Sequence, residues 1–158
     1  KEHLQLSLPD TEGKTVSLDD ENLKDKPKIL FVTGSWCPNC KDMGEFLKEF
    51  YKNKSTNVEI IAISFERYKD FQRQKERVAN YKEKMSYPFT TLIGGYFDKK
   101  TAAVVFGGSI DEIIAYPTLL FLDKSNRIKG IYTGIYGRET SKFDEFKSDF
   151  QKLLNTIQ

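Results

Sequence analysis

Leu4, Leu6 and Leu8 alternate with polar neighbours, and after the stretch "PDTEGK" (9–14) Val16 and Leu18 alternate again. A period of two belongs to a half-buried strand, and Pro, Asp and Gly supply the turn, so residues 4–18 read as a β-hairpin. "KILFVT" (28–33) and "VEIIAIS" (58–64) are instead unbroken apolar runs, as in strands covered on both faces. Between them Met43, Phe46, Leu47 and Phe50 recur at helical spacing and predict a helix from Pro38 to Lys52. Residues 67–84 are polar with a thin apolar stripe, Tyr68, Phe71 and Val78, which predicts an exposed helix. "FTTLI" (89–93) predicts a short strand, and "DKKTAAVVFGG" (98–108) a short helix ended by paired glycines. "TLLFL" (118–122) and "RIKGIYTGI" (127–135) read as strands joined by a turn around "DKSN". Phe143, Phe146, Phe150, Leu153, Leu154 and Ile157 line one face of a closing helix.

Strand, helix, strand, helix, then two strands close together and a last helix make an α/β fold with a mixed sheet covered on both faces. Residues 1–158 read as a single domain, without repeats, low-complexity tracts or an interdomain linker. A chain of this length buries roughly 70% of its unfolded surface, enough for a full core. The 25 Lys and Arg against 23 Asp and Glu leave a formal net charge of +2, which argues against a nucleic-acid partner. The blocks Lys24–Lys28 and Lys82–Lys84 read as solvated faces. No apolar run approaches the ~20 residues of a membrane span. No signal peptide is visible, and a chain starting at Lys1 reads as processed or trimmed.

The only two cysteines stand in "SWCPNC" (35–40), at the junction of a predicted strand and a predicted helix. Pro38 suits the first helical position, where a missing N–H is no loss. That makes Cys37 the expected N-cap, with its sulfur facing unpaired N–H groups and the positive end of the helix dipole. Thiols in such CxxC settings fall from about 8.5 to between ~3.5 and ~7.5, and the thiolate is the nucleophile. Cys37 is therefore the expected attacking sulfur. Cys40 lies one turn on, on the same face and within reach of a disulfide, and is the expected resolving thiol.

Plainer readings compete. A structural disulfide closing a four-residue ring would restrict the unfolded chain less than a 15-residue loop does, for which the gain is ~3 kcal/mol. Zinc wants four ligands, and the sole histidine, His3, sits in an expectedly frayed terminus. Two ordinary buried cysteines remain a third reading, although Trp36 before the pair and Pro38 within it speak against coincidence. C-x-x-C beside a βαβ pattern is a thioredoxin-like signal.

"SWCPNC" after "KILFVT", with "YPTLLFLD" (116–123) downstream, resembles the thioredoxin superfamily. The leading "LPDTEGKTVSLDD" and the segment before "YPT" narrow the resemblance to the TlpA/ResA-like bacterial thiol-disulfide oxidoreductases. The resemblance implies a thioredoxin-like fold with a central mixed β-sheet flanked by helices, an N-terminal hairpin and an insertion before a cis-proline strand. Pro117 matches the cis-proline position. The residues alone leave cis and trans open there, and Tyr87–Pro88 is a second Tyr-Pro pair. A cis bond at Pro117 would leave the backbone of Ala115 and Tyr116 to pair with an extended substrate peptide. Trp36 becomes a wall of the thiol site, and Tyr116 a group that narrows partner choice.

The chain also departs from the family pattern. The buried aspartate expected six residues before the first cysteine is Phe31, the glutamate expected three after the second is Met43, and the helix proline expected five after it is Glu45. The usual proton acceptor for the resolving thiol is thus missing from both places. Glu66, at the end of "IIAISFE", is either a substitute base or an exposed strand-end carboxylate.

The resemblance implies an enzyme, a disulfide reductase of the bacterial periplasm or cell envelope. It would act on protein thiols and disulfides, draw electrons from a membrane thiol carrier, and work as a monomer with no cofactor beyond the redox-active Cys37–Cys40 disulfide. A peroxiredoxin-like peroxide reductase is the first alternative. Its Pro-x-x-x-Thr-x-x-Cys motif is unmet, because Thr33 stands four residues before Cys37 and the proline is lacking. The second alternative is a non-enzymatic redox-sensing or binding module.

Overall fold

The computed structural model describes residues 3–108, 110, 115–135, 137 and 140–158. The predicted hairpin is present, with strands shorter than the alternation suggested: β1 (Ser7–Pro9) pairs antiparallel with β2 (Thr15–Ser17), Leu8 opposite Val16. The Asp10 carboxylate accepts the N–H groups of Glu12 and Lys14, both at 2.9 Å, which fastens the turn. Leu4 and Leu6 lie ahead of the strands and are buried against the main sheet, although the Leu6 carbonyl still accepts the Leu18 N–H at 3.4 Å. His3 is held too: it bridges to Arg127, and its Nδ1 lies 2.5 Å from the Ser125 carbonyl oxygen. The frayed terminus expected around it is absent at that residue.

The main sheet has the order β5-β4-β3-β6-β7, from β3 (Lys28–Thr33), β4 (Glu59–Glu66), β5 (Thr90–Tyr96), β6 (Thr118–Leu122) and β7 (Ile128–Thr133). β3, β4 and β5 run parallel, joined through α1 (Pro38–Asn53) and α2 (Phe71–Met85); β6 and β7 run antiparallel to their neighbours. This is the mixed sheet of a thioredoxin-like α/β fold. Successive residues of a strand face opposite ways, so β3 sends Ile29 and Phe31 to one core and Leu30 and Val32 to the other. The first core is closed by α1, α2 and α4 (Ser141–Asn155). The second is closed by the N-terminal segment and α3 (Lys99–Val105). Phe46 meets Phe146 and Phe150 edge-on at 4.8 and 4.9 Å, pairs worth about 0.5–1.5 kcal/mol each beyond their area.

The second helix corrects the sequence reading. It begins after Asp70, whose carboxylate caps the Arg73 N–H at 2.9 Å. Its buried stripe is Gln74, Val78, Tyr81 and Met85, while Phe71 is 47% exposed. β5 runs past the predicted 89–93 to Tyr96 because Gly94 lets it lie against the Phe65 ring, which an added Cβ would approach to 2.7 Å. Lys28 is not on a solvated face: it is fully buried, with Nζ donating to the Lys26 carbonyl (2.9 Å) and to Asn126 Oδ1 (2.7 Å).

The parallel register brings Thr33 beside Ser64, and the antiparallel one brings Val32 beside Thr118. The ends of β3 and β4 and the start of β6 therefore meet at one edge, where the cysteines lie.

Candidate active site

α1 starts at Pro38 as expected, and Cys37 is its N-cap in extended conformation, φ −100°. The Cys40 N–H points at Cys37 Sγ from 3.3 Å, so the sulfur takes the place that a capping hydroxyl or carboxylate would hold. Both cysteines are free thiols. Hydrogen bonding from the Cys40 thiol, followed by the backbone N–H groups of Cys40 and Asn39 and the charge of Arg67, lowers the Cys37 thiol to about 7 against the opposing pull of burial. Burial acts the other way on Cys40 and pushes its thiol far up, with the neighbouring Cys37 adding to the rise. Cys37 retains 4% exposure and Cys40 none, so of the two cysteines only the first meets the surface.

Trp36 stands beside the pair, half-buried, with its indole N–H donating to the Phe65 carbonyl at 2.8 Å. Its ring meets Tyr116 edge-on at 5.1 Å and Phe97 at 5.5 Å. Arg67 lies over the indole at 4.4 Å, a cation–π contact. The Tyr116–Pro117 peptide bond is cis. The Cys37 thiol faces the Tyr116 carbonyl oxygen from 3.7 Å, and the Ala115 carbonyl accepts the Thr118 hydroxyl at 2.7 Å. The tertiary fold thus gathers Trp36, Cys37, Cys40, Ala115, Tyr116 and Pro117 from two segments nearly eighty residues apart.

Glu66 is not an exposed strand-end carboxylate: it is 1% exposed. Its oxygens accept the Ser35 hydroxyl (2.5 Å), the Ser35 N–H (3.1 Å) and the Ser64 hydroxyl (2.7 Å). Three donors keep a carboxylate solvated without water. The contact ties the end of β4 to the loop that delivers Trp36 and Cys37.

Sequence reasoning missed two groups. Arg67 stood in a polar stretch with nothing to link it to the tryptophan. Thr33, Tyr81 and Tyr87 form a buried hydroxyl chain beneath the cysteines, Thr33 to Tyr81 at 3.0 Å and Tyr81 to Tyr87 at 2.9 Å. A threonine ending an otherwise apolar strand was the one available signal. Among the described residues no group of three or more His, Cys, Asp or Glu is placed to hold a metal ion.

Comparison with known proteins agrees with this geometry. Residues 1–131 match the model of the AhpC/TSA family. No curated protein matches the chain by sequence. Among solved structures, a thiol-disulfide oxidoreductase from Bacteroides fragilis NCTC 9343 is similar at 22% identity and a TM-score of 0.67, over 92% of this chain and 99% of that one. A DsbF homologue from Corynebacterium diphtheriae is similar at 18% identity and a TM-score of 0.70, over 98% and 85%. The pneumococcal exposed lipoprotein thioredoxin from Streptococcus pneumoniae strain TIGR4 is similar at 19% identity and a TM-score of 0.64, over 94% and 98%. With a family model spanning most of its length, the chain belongs to the AhpC/TSA family, and it shares the thioredoxin-like fold of these structures.

Proposed function

We propose that the protein is a thiol-disulfide oxidoreductase that reduces protein disulfides in the bacterial cell envelope through a Cys37–Cys40 cycle. The observation that carries this reading is the opposed state of the two thiols: Cys37 lowered to about 7 at the helix start, Cys40 sealed behind it. The Cys37 thiolate attacks a substrate disulfide, forming a mixed disulfide and releasing one substrate thiolate. Cys40 then attacks Cys37 Sγ, the substrate leaves fully reduced, and Cys37 and Cys40 are left as a disulfide. A thiol donor, in this reading a membrane thiol carrier, restores the dithiol.

Pro38 starts the helix that holds the thiolate. Trp36, Tyr116 and the cis bond at Pro117 shape the surface against which a substrate strand lies. The Ala115 carbonyl is engaged by Thr118, so substrate pairing in this segment falls mainly to the rest of the backbone. Glu66 acts on Ser35 as a positioning residue rather than as the base for Cys40. The envelope location draws on the similarity to an exposed lipoprotein thioredoxin. No described helix is long and apolar enough to cross a membrane.

The test is the reduction potential of the Cys37–Cys40 couple against glutathione. A value near thioredoxin's, about −270 mV, supports a reductase, and one near the strong oxidant DsbA's, about −120 mV, overturns that direction. The AhpC/TSA match favours testing peroxide as a second substrate. Against it, the Thr33 hydroxyl bonds to Tyr81 and acts on the Cys40 thiol rather than on the attacking sulfur.

A further inference from the structure

Resolution requires Cys40 to lose a proton in a place with no exposure. Phe31 and Met43 occupy the positions where a carboxylate was expected, and both are fully buried. Glu66 is spent on Ser35 and Ser64. Apart from Cys37 and backbone, the group that acts on Cys40 in this buried place is the Thr33 hydroxyl, which draws its thiol down against the pull of burial. From Thr33 the chain continues to the Tyr81 hydroxyl at 3.0 Å and on to Tyr87 at 2.9 Å, and in each of these links either oxygen can donate. Thr33 is 0% exposed, Tyr81 and Tyr87 4% each. Tyr81 also lines an open cleft between the start of α1 and the body of α2, with Ser35, Lys41, Arg77, Asn80 and Lys84. The cleft's three cations and lack of carboxylates disfavour protons held there and favour their release to water.

We propose that Thr33 and Tyr81 relay the proton of Cys40 to water in this cleft during resolution, with Tyr87 as the positioning residue that holds the Tyr81 hydroxyl in line. The inference rests on the disulfide-exchange reading of the site. In the step, Cys40 sulfur bonds to Cys37 Sγ as the bond from Cys37 to the substrate sulfur breaks. The Cys40 proton passes to Thr33 Oγ1, the Thr33 proton to the Tyr81 oxygen, and the Tyr81 proton to cleft water. The leaving substrate thiolate takes its own proton from solvent. Cys37 and Cys40 end as a disulfide and the substrate gains two electrons over the cycle. The ionisable groups facing Cys40 and the relay are Cys37 on α1, Tyr81 on α2, Tyr87 after it, Tyr116 before β6, and Glu45, whose charge reaches Tyr87. Neutral at ordinary pH, the tyrosines conduct the proton without storing it.

The experiment is single-turnover reaction of the reduced full chain with 5,5′-dithiobis(2-nitrobenzoate), followed by stopped flow. Attack by Cys37 releases the first chromophore and resolution by Cys40 the second. Tyr81→Phe and Thr33→Val are expected to slow the second release roughly 10- to 100-fold, the lower range of general acid–base effects. They should leave the first release and its pH profile in place and alter the solvent deuterium isotope effect of the second alone. Thr33→Ser, which keeps a hydroxyl, should restore the second release. Unchanged second-phase rates, pH profile and isotope effect in both variants overturn the relay, and so does an equal slowing of both phases. Should Tyr81→Phe fail to fold, the Thr33→Val and Thr33→Ser pair decides the question. A missing second release in the unaltered chain removes the cycling site itself, and the relay with it, a result distinct from normal cycling in the variants.

Discussion

Cys37 caps α1 and Cys40 sits in its first turn, and their surroundings have almost nothing in common. Cys37 meets the outside: helix N–H groups, the Arg67 charge and a rim of Trp36 and Tyr116. Cys40 meets the inside: the end of β3, the aromatic core and a chain of hydroxyls. One environment stabilises an anion and the other resists it, so a single spacing yields two thiols of opposite character. At Cys37 the difference is made mainly by Cys40 and the helix's first N–H groups, and at Cys40 mainly by burial among tertiary neighbours.

The strongest way to break the contrast is to remove one sulfur at a time. Cys37→Ser is expected to abolish disulfide exchange. Cys40→Ser should leave the first attack intact and accumulate a mixed disulfide, visible as an adduct by intact mass. Equal loss of first attack in both variants would mean that the two thiols are interchangeable.

The next effect is on pH. The alkylation rate of Cys37 should climb with pH and level off above its value of about 7, and Cys40 should resist alkylation at the same pH. The sign for stability follows from the same shifts. Cys37 is lowered on folding, so the reduced chain gains stability as pH rises from about 7 towards the ordinary thiol value of 9 and loses it as pH falls. Cys40 is raised, so its contribution is present below 9 and is lost above it, where the unfolded thiol ionises. Reduced protein should therefore be most stable near pH 9, a maximum that urea titrations across pH 6–10 would locate and that the oxidised form should lack.

Gly44→Ala would press on the inner environment, since an added Cβ on α1 would collide with the Tyr87 hydroxyl. Overpacking of this kind costs about 1–3 kcal/mol. A fall in the urea midpoint should accompany slower resolution, while first attack by Cys37 is retained. Glu66→Gln would press on the outer one by placing an amide N–H₂ among three donors. The cost is about 1–3 kcal/mol for unsatisfied buried donors, with the pH dependence of resolution unchanged; a shifted pH profile would instead make Glu66 the base. Arg67→Ala should be the smallest, a two- to threefold slower alkylation of Cys37 at neutral pH, about the 0.5–1 kcal/mol of an exposed charge contact. High salt should mask it.

Much of this was legible along the chain. The alternation of Leu4, Leu6 and Leu8, the apolar runs of β3 and β4 and the phenylalanine stripe of α4 report burial directly; the last three became the elements their periods implied, while of the leucines only Leu8 entered a strand. Pro38 after Cys37 foretold the capped helix start, because a helix's first turn depends on its own residues. Reading failed where burial came from afar. Lys28 and Glu66 look like surface charges, and both are buried because a distant partner, Asn126 for one and Ser35 for the other, supplies hydrogen bonds. The stripe of α2 was misread because Tyr68 and Phe71 precede or open the helix, and its capping residue, Asp70, sets the phase.

The sequence by itself determined a pair of thiols at a helix start, Cys37 as the cap and Cys40 one turn behind it, since that placement follows from local geometry. Only the tertiary structure decided what each sulfur touches. Thr33, Tyr81 and Tyr87 come from a strand, a helix and a loop, and Arg67 meets Trp36 across thirty-one positions. A thiol's acidity depends on solvation and on charges within a few ångströms, and in a folded chain such neighbours are chosen by sheet register and helix packing.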